Sequence, residues 1–320
     1  MLLDAASVWS KAWPILFAIL FFGVIILIHE LGHFTVAKLS GIKVNEFAIG
    51  MGPKLLSFGK GETKYSLRLI PMGGYVQMEG EDEASEDERA FNQKPVWKRF
   101  LVVIAGAVMN IILGLVLVAI LLTQQNLIGT TQIAGFHENA SSQSSGLQEG
   151  DVITHINGTS VWSDRDISFL MARDRDGVID FTVKRDGQKT ELKNVKFDTR
   201  EVDGQTVITF DFIIIGENKT FWNVLKTSFL ETASMARLVW LSLFDLVTGR
   251  FGLSDLAGPV GTVSVIAEAT TSGGFLNALS LMAFITINIG VFNLLPIPGL
   301  DGGRLSVSYT HLRAHETELH

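Results

Sequence analysis

The chain has 320 residues, of which 47% are hydrophobic and 18% charged, whereas a soluble domain carries about 25% charge. Cysteine is absent, which excludes disulfides, thiolate metal ligands and cysteine nucleophiles. The net charge of −7 comes partly from Glu79–Glu88 (EGEDEASEDE), and no basic stripe of the kind that binds nucleic acid is present.

In chain order, residues 1–37 predict a first spanning helix. The stretch Pro14–Ile28 is uncharged and apolar, and a helix-compatible pattern continues through Leu31, Phe34, Val36 and Ala37. A cleavable leader is rejected: the apolar run is long and no small-x-small cleavage site follows it. Residues 38–99 hold ten Lys and Arg, so the positive-inside rule places them in the cytoplasm. Within this segment VNEFAIGMGPKLLSFGKGETKYSLRLIPMGGYVQMEG predicts strands punctuated by Gly52-Pro53, Gly59–Gly61 and Gly73-Gly74. This β segment is expected against the membrane face near the first helix. The acidic run that follows it is expected to be a solvated loop.

Residues 100–122 form a second stretch long enough to span, since about 20 mostly apolar residues suffice. Residues 123–215 are expected outside the cell as a small β-rich domain. LQEGDVITHINGTSV and FTVKRDGQKTELKNV alternate around Asn157-Gly158 and Asp186-Gly187, the signature of β-hairpins. Arg165–Arg173 predicts a short helix. In residues 216–274, Phe221–Val247 is apolar but carries Lys226, Glu231, Arg237 and Asp245. An interfacial amphipathic helix is preferred there to a further span. Residues 275–304 predict a third span that returns to the cytoplasm. The fold class is therefore a polytopic α-helical membrane protein in the cell (inner or plasma) membrane, with the bilayer as its surroundings.

The chemistry lies in IILIHELGHF, residues 25–34. On a helix, positions i and i+4 share a face, so His29 and His33 offer two imidazoles to one point. A zinc ion bonded to nitrogen at about 2.0–2.1 Å suits that spacing. Glu30, beside the first ligand, can take a proton from zinc-bound water and later give one to the leaving amine. Charges within a span cost about 2.5–3.5 kcal/mol each on insertion scales. Three ionisable groups within five positions of such a helix therefore point to a function.

A catalytic zinc site needs a third protein ligand. His137 and His155 belong to the outer segment. His311 and His315 repeat the spacing, but Leu312 stands where the glutamate is needed. The candidate is Asp301 in NLLPIPGLDGG. With a rise of 1.5 Å per residue, His29 lies about 22 Å and Asn293 about 27 Å below the outer edge, so both are near the cytoplasmic side. Pro296 and Pro298 break the helix, and the irregular chain can carry Asp301 back to the histidines. Asn293 is a candidate for binding substrate backbone. Asn110 and Asn288 are assigned helix–helix hydrogen bonds.

These motifs resemble the site-2 protease family of intramembrane zinc metalloproteases, and more narrowly its bacterial RseP-type members. HELGH and NLLPIPGLDGG match the family's two metal motifs. GPKLLSF and IPMGGYVQMEGED match its membrane-associated β segment, and GLQEGDVITHINGTSV looks like part of a single PDZ domain. The resemblance implies cleavage of a single-pass membrane protein, such as an anti-sigma factor or a remnant signal peptide, in regulated intramembrane proteolysis. It also implies a PDZ domain that filters or docks substrate, and a fourth span after LDGGR. Residues 305–320 (LSVSYTHLRAHETELH) do not continue that pattern, and they read as a foreign tail on a truncated chain. The rival readings are a non-catalytic membrane scaffold with a structural metal and an ion transporter with a histidine pathway. The sequence leaves oligomeric state open.

Overall fold

The computed structural model describes residues 5–174, 176–202, 205–249 and 274–304. The tail 305–320, and the part of the expected amphipathic region at 250–273, lie outside the described residues. The chain divides into two compact units, residues 1–117 with 235–320, and residues 118–234.

The first unit is built on helices. Helix α1 runs Ala5–Leu39, longer at both ends than its apolar core requires. Helix α2 spans Val96–Gln124 and begins directly after Pro95, whose fixed φ suits a first turn. Helix α6 is Gly274–Asn293. These are the three described helices long and apolar enough to cross a membrane, as the sequence predicts. Ala18, Phe21 and Ile25 of α1 are buried among Leu113 of α2 and Leu281, Ile285 and Ile289 of α6.

Glycines set how closely these helices approach. A Cβ on Gly32 would meet the Ala105 carbonyl carbon at 2.8 Å, and one on Gly290 would meet the Ala107 oxygen at 2.9 Å. Apolar helices in lipid associate through such small-residue contacts, because lipid supplies no hydrophobic drive between them.

Between α1 and α2 lie two long antiparallel strands, β1 (Val44–Phe58) and β2 (Lys64–Met78). Both bend on themselves. Residues 44–49 pair with 74–78 on one side and with 64–67 on the other, while 54–58 pair with 65–68. The inner arm packs on α1: Val44, Phe47, Val76 and Met78 share a core with Ala37, Val102 and Phe34. The acidic run is less solvated than its composition suggests. Glu79 accepts from Asn45 and Ser85, Asp87 pairs with Lys43, and Glu81 pairs with Arg304.

The second unit holds a six-stranded sheet in the order β10-β3-β4-β6-β7, with β5 added to β4. The strands are β3 (Ile128–Phe136), β4 (Val152–Ile156), β5 (Thr159–Ser160), β6 (Val178–Arg185), β7 (Gln188–Lys196) and β10 (Phe212–Glu217). A short hairpin, β8 (Thr199–Val202) with β9 (Gln205–Ile208), stands apart. Both predicted hairpins form: Asn157 and Gly158 have φ of 47° and 76°, and Asp186 and Gly187 have 49° and 83°. Two consecutive left-handed residues make the turn whose twist matches paired strands. A single turn, α3 (Ser141–Ser144), precedes β4. The predicted short helix is α4 (Asp164–Ala172), at whose start the Ser163 backbone N–H donates to the Asp166 carboxylate. Helix α5 (Phe221–Val247) carries the four charges noted in the sequence and is not among the candidate spans.

Candidate metal centre and peptidase site

The site is assembled from α1, α2, β2 and the turn that follows α6. His29 and His33 face α2 one helical turn apart, with their Nε2 atoms 3.1 Å from each other. Gly106 of α2 makes the room: a Cβ there would lie 2.7 Å from both Cε1 and Nε2 of His29 and would also strike Nε2 of His33. Asp301 reaches the pair from the other side. Its Oδ2 stands 3.0 Å from His29 Nε2 and 3.4 Å from His33 Nε2.

The loop that delivers Asp301 is irregular. After α6 the chain runs through Pro296 and Pro298, and a one-turn helix begins at Asp301. Gly302 and Gly303 lie so close to the Leu294–Pro298 backbone that a Cβ on either would collide with a carbonyl. The paired glycines of LDGG therefore let the turn fold back and present the aspartate.

The other ring nitrogens fix the tautomers. His33 Nδ1 is 2.8 Å from the Val102 carbonyl oxygen, which can only accept, so Nδ1 carries the proton and Nε2 the lone pair. His29 Nδ1 lies 3.3 Å from the fully buried Asn110 amide. Asn110 Oδ1 is buried without a hydrogen-bond partner. Turning the amide by half a rotation, which preserves its shape, lets Oδ1 accept from His29 Nδ1–H. Both Nε2 lone pairs then face each other and a carboxylate oxygen that itself makes no hydrogen bond. Three electron-pair donors with no proton between them call for a cation.

The donor set fits zinc. A tetrahedral ion with bonds of about 2.0–2.1 Å has its ligands about 3.3 Å apart, close to the 3.0, 3.1 and 3.4 Å edges of this triangle.

Beside the triangle is a cavity of about 180 Å³, lined among others by Glu30, Gly74, Tyr75, Glu81 and Arg304, with His33 and Asp301 in its wall. A Cβ on Gly74 would lie 3.1 Å from Glu30 Cγ, so the glycine lets β2 pass directly over the glutamate. Burial pushes the Glu81 carboxyl up, and Arg304 pulls against it.

The structure thus brings together His29, Glu30, His33 and Asp301. Asn293, the last residue of α6, is half-buried and is not among the residues lining the cavity. Asn110 bonds a histidine rather than only another helix, and its clue was an amide within an otherwise apolar span. Asn288 is not seen in a helix–helix bond: its Oδ1 is buried and unpaired. Glu81 was hidden in a run of acids.

Two histidines four apart on a helix, a glutamate between them and a distant carboxylate define a metallopeptidase with its centre set among apolar helices. Residues 17–318 match the profile of peptidase family M50, and the chain belongs to that family. It is 42% identical over 290 residues to a protein of Clostridium acetobutylicum named as a candidate zinc metalloprotease, covering 90% of this chain and 84% of that one. It is 30% identical over 369 residues to the regulator of sigma-W protease RasP of Bacillus subtilis, covering 90% and 87%. The chain is an intramembrane zinc metalloendopeptidase.

Proposed function

We propose that His29, His33 and Asp301 hold the zinc, that Glu30 is the general base and acid, and that the substrate is a single-pass membrane protein. The observation that carries this reading is the convergence of three proton-free donors beside a cavity lined by Glu30. Zinc, when bound, supplies a Lewis acid that polarises the scissile carbonyl and brings the pKa of water to about 7. Glu30 takes up the proton released as water attacks, and passes it to the nitrogen of the departing chain. Val102 and Asn110 keep both imidazoles in the ligating tautomer. Gly74 and Gly106 keep the space around them free of side chains.

A peptide bond inside a helix is shielded, so the substrate must unwind before it reaches the cavity. Asn293, before the loop that carries Asp301, is assigned a hydrogen bond to substrate backbone. The ten Lys and Arg of residues 38–99 favour a cytoplasmic position for that segment and for the zinc centre. Residues 123–215 are read as an extracytoplasmic PDZ-like domain that screens or docks substrate, and residues 216–274 as an interfacial region. The sigma-regulating role in the name of the Bacillus subtilis relative motivates anti-sigma factors as substrates, with remnant signal peptides as the other class.

The test is Glu30→Gln beside Asp301→Ala, purified with zinc and given a single-pass substrate. Glu30→Gln should keep its zinc and lose about 10²–10⁴-fold in cleavage, while Asp301→Ala should lose the metal. Undiminished cleavage by Glu30→Gln, or full zinc retention by Asp301→Ala, sinks the assignment.

A further inference from the structure

We propose that Glu81 and Arg304 form a positioning clip that holds the Asp301 turn against the β segment and so sets the affinity of the metal centre. This rests on Asp301 being the third ligand. Arg304 closes the one-turn helix that begins at Asp301. Its Nη1 donates to Oε1 of Glu81, which sits in the turn just beyond the last residue of β2, Met78. The pair therefore ties the loop after α6 to the strand that covers Glu30. Both residues line the cavity that His33 and Asp301 also border.

The loop needs such a tie. Leu294 and residues 296–299 are exposed, and two prolines deny the segment regular helix bonding. Gly302 and Gly303 permit the fold-back, but glycine adds no side-chain contact and carries a high backbone entropy. Without a lateral anchor the turn could swing, and the carboxylate would meet the histidines only part of the time. The Glu81 carboxylate is 14% exposed and the Arg304 side chain 60%. The acid is thus the fixed half of the clip and the arginine the reaching half. Partners that orient a metal's ligands are commonly worth 10–100-fold in metal affinity.

The experiment measures zinc affinity by competition with a chelator, and cleavage of a single-pass substrate, in the detergent-solubilised full chain. The variants are Glu81→Gln, Arg304→Gln, the double charge reversal Glu81→Arg with Arg304→Glu, and Asp301→Asn as a reference. Each single variant is expected to bind zinc at least about tenfold more weakly. Its cleavage should return toward that of the parent chain when zinc is raised to saturation. The charge reversal should recover most of the affinity, which a general packing defect would not allow. The clip is overturned if either single variant keeps native zinc affinity, or if the reversed pair binds no better than the singles. If Asp301→Asn also keeps native affinity, it is the ligand assignment that fails. If Asp301→Asn loses zinc while the single variants do not, the clip alone fails.

Discussion

The two units solve the same problem, packing strands with helices, in opposite ways. In the six-stranded sheet the side chains alternate: Ile179, Phe181 and Val183 of β6 are buried, while Val178, Asp180 and Lys184 face out. That is the pattern of a sheet with one face in water. In β1 and β2 the inner arm is buried on α1, but the outer arm exposes Met51, Leu55, Leu56, Phe58, Leu69 and Ile70. Apolar patches of this kind mark surfaces that meet something other than water. The helices differ too. In the unit that holds the His29–His33–Asp301 triangle glycine sets the spacing, and polar groups such as Asn110 and the Asn288 Oδ1 are buried. The difference teaches that a glycine or a buried ion means different things in the two units, which mutation can measure.

The largest effect is expected from a matched pair of glycine substitutions. Gly106→Ala puts a methyl group 2.7 Å from His29 Nε2. Planar imidazoles locked at their other nitrogens cannot move aside without leaving the metal. Zinc content should fall to background, with helical circular dichroism retained. Gly135→Ala on β3 meets nothing within 4 Å and should leave zinc unchanged, with stability equal or raised by up to about 1 kcal/mol. If both substitutions behave alike, the glycine spacing of the helices has no special role in the centre.

Next comes the buried ion pair of the sheet. Arg185 donates from Nε and Nη2 to the two oxygens of Asp151, each at 2.7 Å, and Asp151 is fully buried. Arg185→Met leaves that carboxylate with backbone partners only, at a cost of about 3 kcal/mol. Limited proteolysis within residues 128–217 should accelerate while zinc binding holds. Loss of zinc in this variant would show that the two units do not behave independently.

The sequence showed this architecture unevenly, for physical reasons. Spans were legible because lipid demands long uncharged runs. The two hairpins were legible because Asn157-Gly158 and Asp186-Gly187 tolerate left-handed backbone. HELGH was legible because positions four apart share a face of a helix, which brings the His29 and His33 nitrogens together. Asp301 could be placed from depth and from the prolines before it, but its approach to the histidines depends on the fold-back at Gly302 and Gly303. Glu81 and Asn110 were not legible as parts of the site. An acid among acids and an amide in a span acquire meaning only from what stands opposite, Arg304 in one case and His29 in the other. The doubled pairing of residues 44–49 also escaped, because strand periodicity records faces and not neighbours.

The smallest expected effect concerns acid in the β segment. Glu46 of β1 is buried, which alone would raise its pKa. Ser66, Lys54, Tyr75 and Arg68 bond the carboxylate and hold it at about 2 instead of 4.5. A carboxyl depressed in the folded state contributes stability that is complete above its ordinary pKa and is lost as pH falls through the folded one. The contribution should therefore be intact at pH 6, begin to weaken near pH 4.5 and vanish around pH 2. Glu46→Gln removes the titrating group, so the stability difference between parent and variant should shrink across that window and stay flat above it. The Asp151–Arg185 pair sits in the other unit, so it is common to parent and variant and drops out of the difference. A parent-minus-variant difference that stays constant between pH 6 and pH 3 would mean that the bonds around Glu46 shape the bend of β1 without stabilising it.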